Sequence, residues 1–357
     1  MKHKLKAALL LGALLGVGIQ SPLSAAPVKE AGQHSVKKGH AKADKKPHHA
    51  KVASKGGAKS HSKTVAKRKA VKSAAASRAA PIRHAKVAGK SARHAAVADL
   101  DPRRLALYSA SALVIDQSDG HVMLEKQADA VLPIASISKL MTAMVVLDAK
   151  PDLQELITIG EEDVDGLKGT RSRLPVGTTM TRNTAMLLAL MSSENRAAHA
   201  LGRHYPGGLS AFVQAMNKKA HALGMVNSSF EEPTGLSSNN VSTASDLARM
   251  VAAAARYPEI RNYTTTAEAK VELKGQIQEF RNTNVLVRSD NSWEIGLSKT
   301  GYISEAGRCL VMQARVADKP VVIVLLDSAG KMTRVGDANR IKRWMESASL
   351  AQERHPA

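Results

Sequence analysis

What most constrains this 357-residue chain is an abrupt change of composition near residue 100. Residues 27 to 100 are dominated by Lys, Ala, His, Ser and Gly and contain no aromatic residue. A stretch so poor in apolar surface cannot offset the entropy of ordering its backbone, so residues 26–100 are expected to form a disordered basic linker. Folding is then confined to residues 101–350, with a short tail at 351–357. That length suffices for one sizeable core or for two lobes sharing a cleft.

The net charge of +21 divides at the same place. Residues 27–98 carry 15 Lys and 4 Arg against only Glu30 and Asp44, a net +17, whereas 99–357 carry 30 basic and 29 acidic residues. The excess belongs to the linker. It reads either as a solvated spacer or as a segment attracted to anionic lipid head groups or acidic wall polymers. Nucleic acid is not an expected partner, because the chain opens with an export signal. Lys2, Lys4 and Lys6 precede the apolar run Ala7 to Ile19, and the small residues Ser24, Ala25 and Ala26 follow, which predicts a signal peptide over residues 1–25. The run is short for a membrane span, so the expected product is exported and periplasmic, soluble or peripherally attached. The single cysteine, Cys309, excludes an internal disulfide and reads as a buried hydrophobe within Cys309-Leu310-Val311-Met312. No cofactor and no metal are expected.

Within 101–350 the pattern alternates over Ala110 to Asp116, turns at Ser118-Asp119-Gly120 and resumes over Val122 to Glu125, a hairpin. Helical spacing follows over Ser136 to Leu147, Thr184 to Leu201, 209–223 and 243–256, with Thr243 and Asp246 as a capping pair for the last. Ile295 to Ile303, Arg308 to Arg315 and Val321 to Leu326 are β-rich, with a turn at Ala317-Asp318-Lys319-Pro320, and a closing helix covers Asp337 to Ala348. The order predicts an α+β fold: one sheet assembled from both ends of the domain, faced by a mostly helical second lobe.

Three short motifs carry chemistry. Ser136-Ile137-Ser138-Lys139 at a helix start puts a lysine one turn from a hydroxyl, and the helix N-terminus favours negative charge on that oxygen. A lysine serves as a base once burial or a second cation lowers its pKa. The S-x-x-K spacing also occurs at Ser35/Lys38, Ser60/Lys63 and Ser328/Lys331, but only the Ser136 pair opens an apolar-periodic helix. Ser193-Glu194-Asn195 follows the apolar run Leu187 to Met191; Ser193 can relay a proton and Asn195 can bond a substrate backbone. Ser289-Asp290-Asn291 fits the same pattern but lies too close to the third motif to face it across a cleft. That third motif, Lys299-Thr300-Gly301-Tyr302, sits in a predicted strand. Lys299 and Thr300 can hold a carboxylate, Lys299 can keep Lys139 neutral by repulsion, and Gly301 admits a substrate backbone.

Together, in this order, with Ser193 57 positions after Ser136 and Lys299 106 positions after Ser193, the motifs resemble the low-molecular-mass penicillin-binding proteins, specifically their D-alanyl-D-alanine endopeptidase and carboxypeptidase group. Pro233-Thr234-Gly235-Leu236, Ser242-Thr243-Ala244-Ser245-Asp246-Leu247-Ala248 and Glu305-Ala306-Gly307-Arg308-Cys309-Leu310 strengthen the resemblance, which covers roughly residues 105–345. It implies a five-stranded antiparallel sheet flanked by helices. It also implies that Ser136 is acylated with Lys139 as base, that Ser193 and Asn195 line the cleft, and that Lys299 and Thr300 hold the substrate carboxylate. The backbone N–H groups of Ser136 and Tyr302 would form the oxyanion hole. The implied substrates are peptidoglycan stem peptides and cross-links, with β-lactam antibiotics as covalent inhibitors.

The Ser-Glu-Asn form of the second motif and the 56 residues after Gly301 favour the endopeptidase over the carboxypeptidase. A class A β-lactamase is disfavoured because no E-x-x-L-N stands between Asn195 and Lys299, and Glu231-Glu232 lacks that context. A non-catalytic wall-binding protein fits poorly with a complete motif set.

Overall fold

The computed structural model describes residues 101–289 and 292–354. The expected signal peptide, the basic linker, and Asp290 and Asn291 of the alternative second motif lie outside them.

Among the described residues eleven strands and eight helices follow one another. They are β1 (Ser109–Asp116), β2 (Val122–Lys126), β3 (Leu132–Pro133), α1 (Ser138–Asp148), β4 (Leu156–Thr158), β5 (Thr179–Thr181), α2 (Arg182–Met191), α3 (Asn195–Arg203), α4 (Gly208–Ala222) and β6 (Val241–Ser242). Then come α5 (Ala244–Ala254), α6 (Pro258–Thr265), β7 (Glu268–Leu273), β8 (Gln276–Arg281), α7 (Val285–Ser289), β9 (Glu294–Ile303), β10 (Gly307–Val316), β11 (Lys319–Ser328) and α8 (Thr333–Arg354). The main sheet is antiparallel in the order β2-β1-β11-β10-β9, so the first hairpin pairs with the last strands and β9 forms an edge.

Both faces of this sheet are covered, which explains why β10 and β11 carry continuous apolar runs. In β11, Val322, Val324 and Leu326 pack into the core shared with the helical lobe, while Val321, Ile323 and Leu325 pack with Ala338, Ile341 and Trp344 of α8. Cys309 belongs to the first of these cores, fully buried, and burial pushes its thiol up to about 11. The β10–β11 turn is tighter than the sequence suggests. Only Ala317 and Asp318 turn, at φ 48° and 60°, and Lys319 and Pro320 already belong to β11.

α1 is buried from Ser138 through Val146, all the way round, so it is the axis of the helical lobe rather than a surface helix. The helix expected over Thr184 to Leu201 is instead two, α2 and α3, separated at Ser192–Glu194. Ser193 adopts φ 63°, a left-handed conformation that ends α2, and Thr283 N–H donates to the freed Met191 carbonyl at 3.0 Å. Thr243 caps α5 as expected, accepting from Asp246 N–H at 3.0 Å. The Asp246 carboxylate is used elsewhere, on Asn227 N–H and Ser228. α6, α7 and the β7–β8 hairpin are additional to the elements the pattern predicts, and α8 starts earlier and ends later than the helix read from it.

Candidate active site

Ser136 sits in a single 3-10 turn, Ala135–Ile137, that leads into α1, rather than in the α-helix itself. The turn is fixed from several sides. β3 pairs with β6, and Ile134 N–H donates to Asn240 O at 3.0 Å. Gly235 and Gly301 press on its backbone: a Cβ on Gly235, whose φ is +80°, would stand 1.9 Å from Ala135 O, and one on Gly301 would stand 3.1 Å from Ser136 N. Only glycine fits at either place. Ala135 is itself left-handed at φ 48°, a conformation that costs an alanine roughly 1 kcal/mol and that the surrounding contacts hold in place.

Lys139, in the first turn of α1, is 0% exposed. Its Nζ lies 2.9 Å from Ser136 Oγ, 2.7 Å from Asn195 Oδ1 and 2.6 Å from Thr234 O. Burial lowers its pKa to about 7, against the opposing charges of Glu232 and Glu194. A neutral amine has two N–H bonds and one lone pair. Thr234 O and Asn195 Oδ1 can only accept, whereas the Ser136 hydroxyl can also donate, so the two N–H bonds go to the former and the lone pair to the serine.

Lys299, on edge strand β9, is also buried, donating to Ser193 Oγ at 3.0 Å and Thr300 O at 2.9 Å. Burial holds its pKa well below the usual lysine value, and Lys139 and Arg334 push it further down. Desolvation is the leading cause for both amines, and the repulsion between them, which acts on each alike, adds to it.

The three motifs thus converge on one cleft. Ser193, in the α2–α3 break, faces Lys299 rather than Lys139. Asn195 has its amide oriented from both ends, Oδ1 by Lys139 and one hydrogen of Nδ2 by Thr170 Oγ1 at 3.0 Å, which leaves the second Nδ2 hydrogen for a substrate. The Thr300 hydroxyl is spent on Thr283 Oγ1 at 2.6 Å. Tyr302 is exposed at the cleft edge with the Arg308 guanidinium 4.3 Å above its ring. By contrast Ser328 is buried at the end of β11, its Oγ 2.6 Å from Ser109 Oγ, so its S-x-x-K spacing makes no site.

Two charged residues join the site unannounced. Arg334, near the start of α8, places Nη1 3.3 Å from Gly301 O, leaves its buried Nε without a partner, and lies close enough to Lys299 to repel its charge. No motif marks it. Glu232 gathers Thr234 N–H, Thr234 Oγ1 and Gly235 N–H at 2.6 Å each, with Ser237 N–H at 3.3 Å and Asn240 Nδ2 at 3.2 Å. Every partner is a donor, a demand only a carboxylate meets on both oxygens. By turning these donors inward Glu232 leaves the Thr234 carbonyl to face Lys139.

The sequence model of the D-alanyl-D-alanine carboxypeptidase family matches residues 96–330, a span that contains all three motifs. The chain belongs to that family. Within it, the chain is 49% identical over 251 residues to a D-alanyl-D-alanine endopeptidase of Pseudomonas aeruginosa, covering 70% of this chain and 81% of that one. It is 47% identical over 244 residues to the D-alanyl-D-alanine endopeptidase of Escherichia coli, covering 68% and 78%. Its fold matches penicillin-binding protein D2 of Listeria monocytogenes in a cefotaxime-bound form, with a TM-score of 0.60 at 27% identity over 68% of this chain and 98% of that one. The α+β architecture read from the sequence is the architecture of this peptidase family.

Proposed function

We propose that this protein is a D-alanyl-D-alanine endopeptidase that hydrolyses peptidoglycan cross-links through an acyl-enzyme on Ser136, and that penicillins acylate the same oxygen. The observation that carries the reading is the Lys139 amine, 2.9 Å from Ser136 Oγ with its two other contacts restricted to acceptors. Lys139 takes the hydroxyl proton as Ser136 Oγ bonds to the D-alanyl carbonyl carbon. The N–H groups of Ser136 and Tyr302 receive the oxyanion. The C–N bond then breaks as the Lys139 ammonium returns the proton to the leaving amine; Ser193, hydrogen-bonded to Lys299, lines the cleft beside it. A water, deprotonated by the regenerated Lys139 amine, releases the acyl group.

A carboxylate beyond the scissile amide fits against Lys299 and Arg334, with the Thr300 hydroxyl turning from Thr283 to donate to it, and its charge offsets the burial and mutual repulsion that depress Lys299. One anchor of this kind serves an endopeptidase and a carboxypeptidase alike. The names of the relatives at 49% and 47% identity favour the former. Product analysis on purified muropeptides separates the two. Cross-linked dimers should disappear to monomers faster than pentapeptide monomers lose their terminal D-Ala; release of D-Ala with the dimers left intact would assign a carboxypeptidase instead.

The base also sets a pH dependence. The neutral fraction of Lys139 grows as pH rises, so penicillin acylation should climb about tenfold per pH unit below the Lys139 pKa and level off above about 7. Stopped labelling at a series of pH values measures this, and a flat profile between pH 5 and 7 would remove Lys139 from the role.

Among the described residues no helix is long and apolar enough to cross a membrane. The Lys-flanked apolar leader supports export to the periplasm. The basic linker supports electrostatic attachment to anionic lipid or acidic wall polymer, with the catalytic domain held at residues 101–350.

A further inference from the structure

The direction of the Lys139 lone pair depends on Asn195 presenting its oxygen, not its nitrogen, to the amine. An amide can sit either way round in the same space, so something must choose. The choice is made on the far side of Asn195, by an exposed threonine in the loop between β4 and β5.

The loop is wound around one carboxylate. Asp165 Oδ1 accepts from Leu167 N–H at 2.8 Å and Lys168 N–H at 2.9 Å, and Oδ2 accepts from Thr170 N–H at 2.8 Å and Thr170 Oγ1 at 2.6 Å. Burial works to raise the Asp165 pKa, but these hydrogen bonds, Thr170's first among them, outweigh it and hold it below the ordinary value, so the carboxyl stays an acceptor. The single hydroxyl proton of Thr170 is committed to Asp165. Its oxygen therefore meets Asn195 with lone pairs only, and the amide must answer with Nδ2, at 3.0 Å. Oδ1 is thereby turned to Lys139, at 2.7 Å. With the amide reversed, Nδ2 hydrogens would point at the amine and compete with Ser136 for its lone pair.

We infer that Thr170 is a positioning residue for acylation, its hydroxyl passing the polarity of Asp165 through Asn195 to Lys139. The inference rests on the reading of Ser136 as the acylated nucleophile. The loop is tied down firmly enough to hold this geometry. Ser172 Oγ and Arg173 Nε donate to the Glu194 carboxylate at 2.7 and 2.9 Å, and Arg196 Nη1 donates to Leu174 O at 2.9 Å. Lys168 reaches across to form an ion pair with Glu305, on the turn between β9 and β10. Thr170 itself is exposed and packs into no core, so its side chain can be changed without disturbing the fold.

The test compares acylation rates by a fluorescent penicillin in the full-length protein and in Thr170→Val and Thr170→Ser, with thermal denaturation as a check on folding. Valine keeps the shape and removes both the donor and the acceptor; serine restores them. Thr170→Val should acylate roughly tenfold more slowly at an unchanged melting temperature, since a misaligned base loses rate while binding and the nucleophile remain. Thr170→Ser should recover the parent rate to within about twofold. A Val variant that labels at the parent rate, or a Ser variant slowed as much as the Val one, overturns the positioning role. A parent protein that takes no label at all overturns instead the acylation reading beneath it.

Discussion

A Ser136→Ala protein should take no covalent label from a fluorescent penicillin and should cleave no cross-linked muropeptide, while melting close to the parent temperature. The fold expectation follows from position: Ser136 is only partly buried, in a 3-10 turn whose shape comes from β3–β6 pairing and from Gly235 and Gly301, none of which involves Oγ. The loss to stability is one hydrogen bond, to Lys139 Nζ, which keeps its bonds to Asn195 and Thr234; that is about 1 kcal/mol. The loss to chemistry is the atom proposed to be acylated, and removing a nucleophile from an assembled site lowers turnover by roughly 10⁴-fold or more. Intact-mass measurement after incubation reads the label directly. An adduct of penicillin mass on the alanine variant would place the nucleophile elsewhere, with Ser193, the cleft's other hydroxyl beside a lysine, as the first alternative.

What the sequence disclosed and what it hid divide by the range of the interactions involved. The inner strands of the main sheet announce themselves because both faces are buried, as in the apolar run Val321 to Leu326, whereas the exposed edge strand β2 is read from its turn at Ser118-Asp119-Gly120. The motifs announce themselves because each is local, three or four residues whose spacing is a property of one turn or one strand. The break at Ser193 is hidden, because Thr184 to Leu201 is rich in Ala, Leu and Met and nothing in its periodicity changes; the left-handed Ser193 is stabilised by Thr283, ninety residues on. The β7–β8 hairpin is hidden for another reason: its strands alternate charged with small or apolar residues, half exposed, and only Lys274-Gly275 marks the turn. Arg334, Glu232 and Thr170 are single polar residues without a pattern, and each matters through a partner brought near by the fold: Gly301, Asn240 and Asn195. The cause of the lowered Lys139 pKa is hidden in the same way. A sequence shows that a second cation exists but not that the base is wholly desolvated, and desolvation outweighs the neighbour.

That desolvation makes Lys139→Met the sharper test of mechanism. Methionine fills much of the same volume, and α1 around it is buried from Ser138 through Val146, so the variant exchanges a buried amine for a buried thioether. Two opposing effects on stability follow. Thr234 O and Asn195 Oδ1 lose their donor, at about 1–3 kcal/mol for each buried group left unsatisfied, but the desolvation of an ionisable amine disappears with it. The net change should be small, and a melting curve checks it. Acylation should fall by roughly 10³-fold, the scale of a lost general base, and what remains should no longer rise with pH through about 7, because the group titrating there has gone. Lys139→Arg separates charge from basicity: a guanidinium stays protonated at any accessible pH, so it preserves a cation beside Ser136 and still cannot take its proton. If the arginine variant acylated within about tenfold of the parent, positive charge alone would be the requirement. The base would then have to be sought at Lys299, whose pKa also lies far below the usual lysine value and whose amine stands 3.0 Å from Ser193 Oγ.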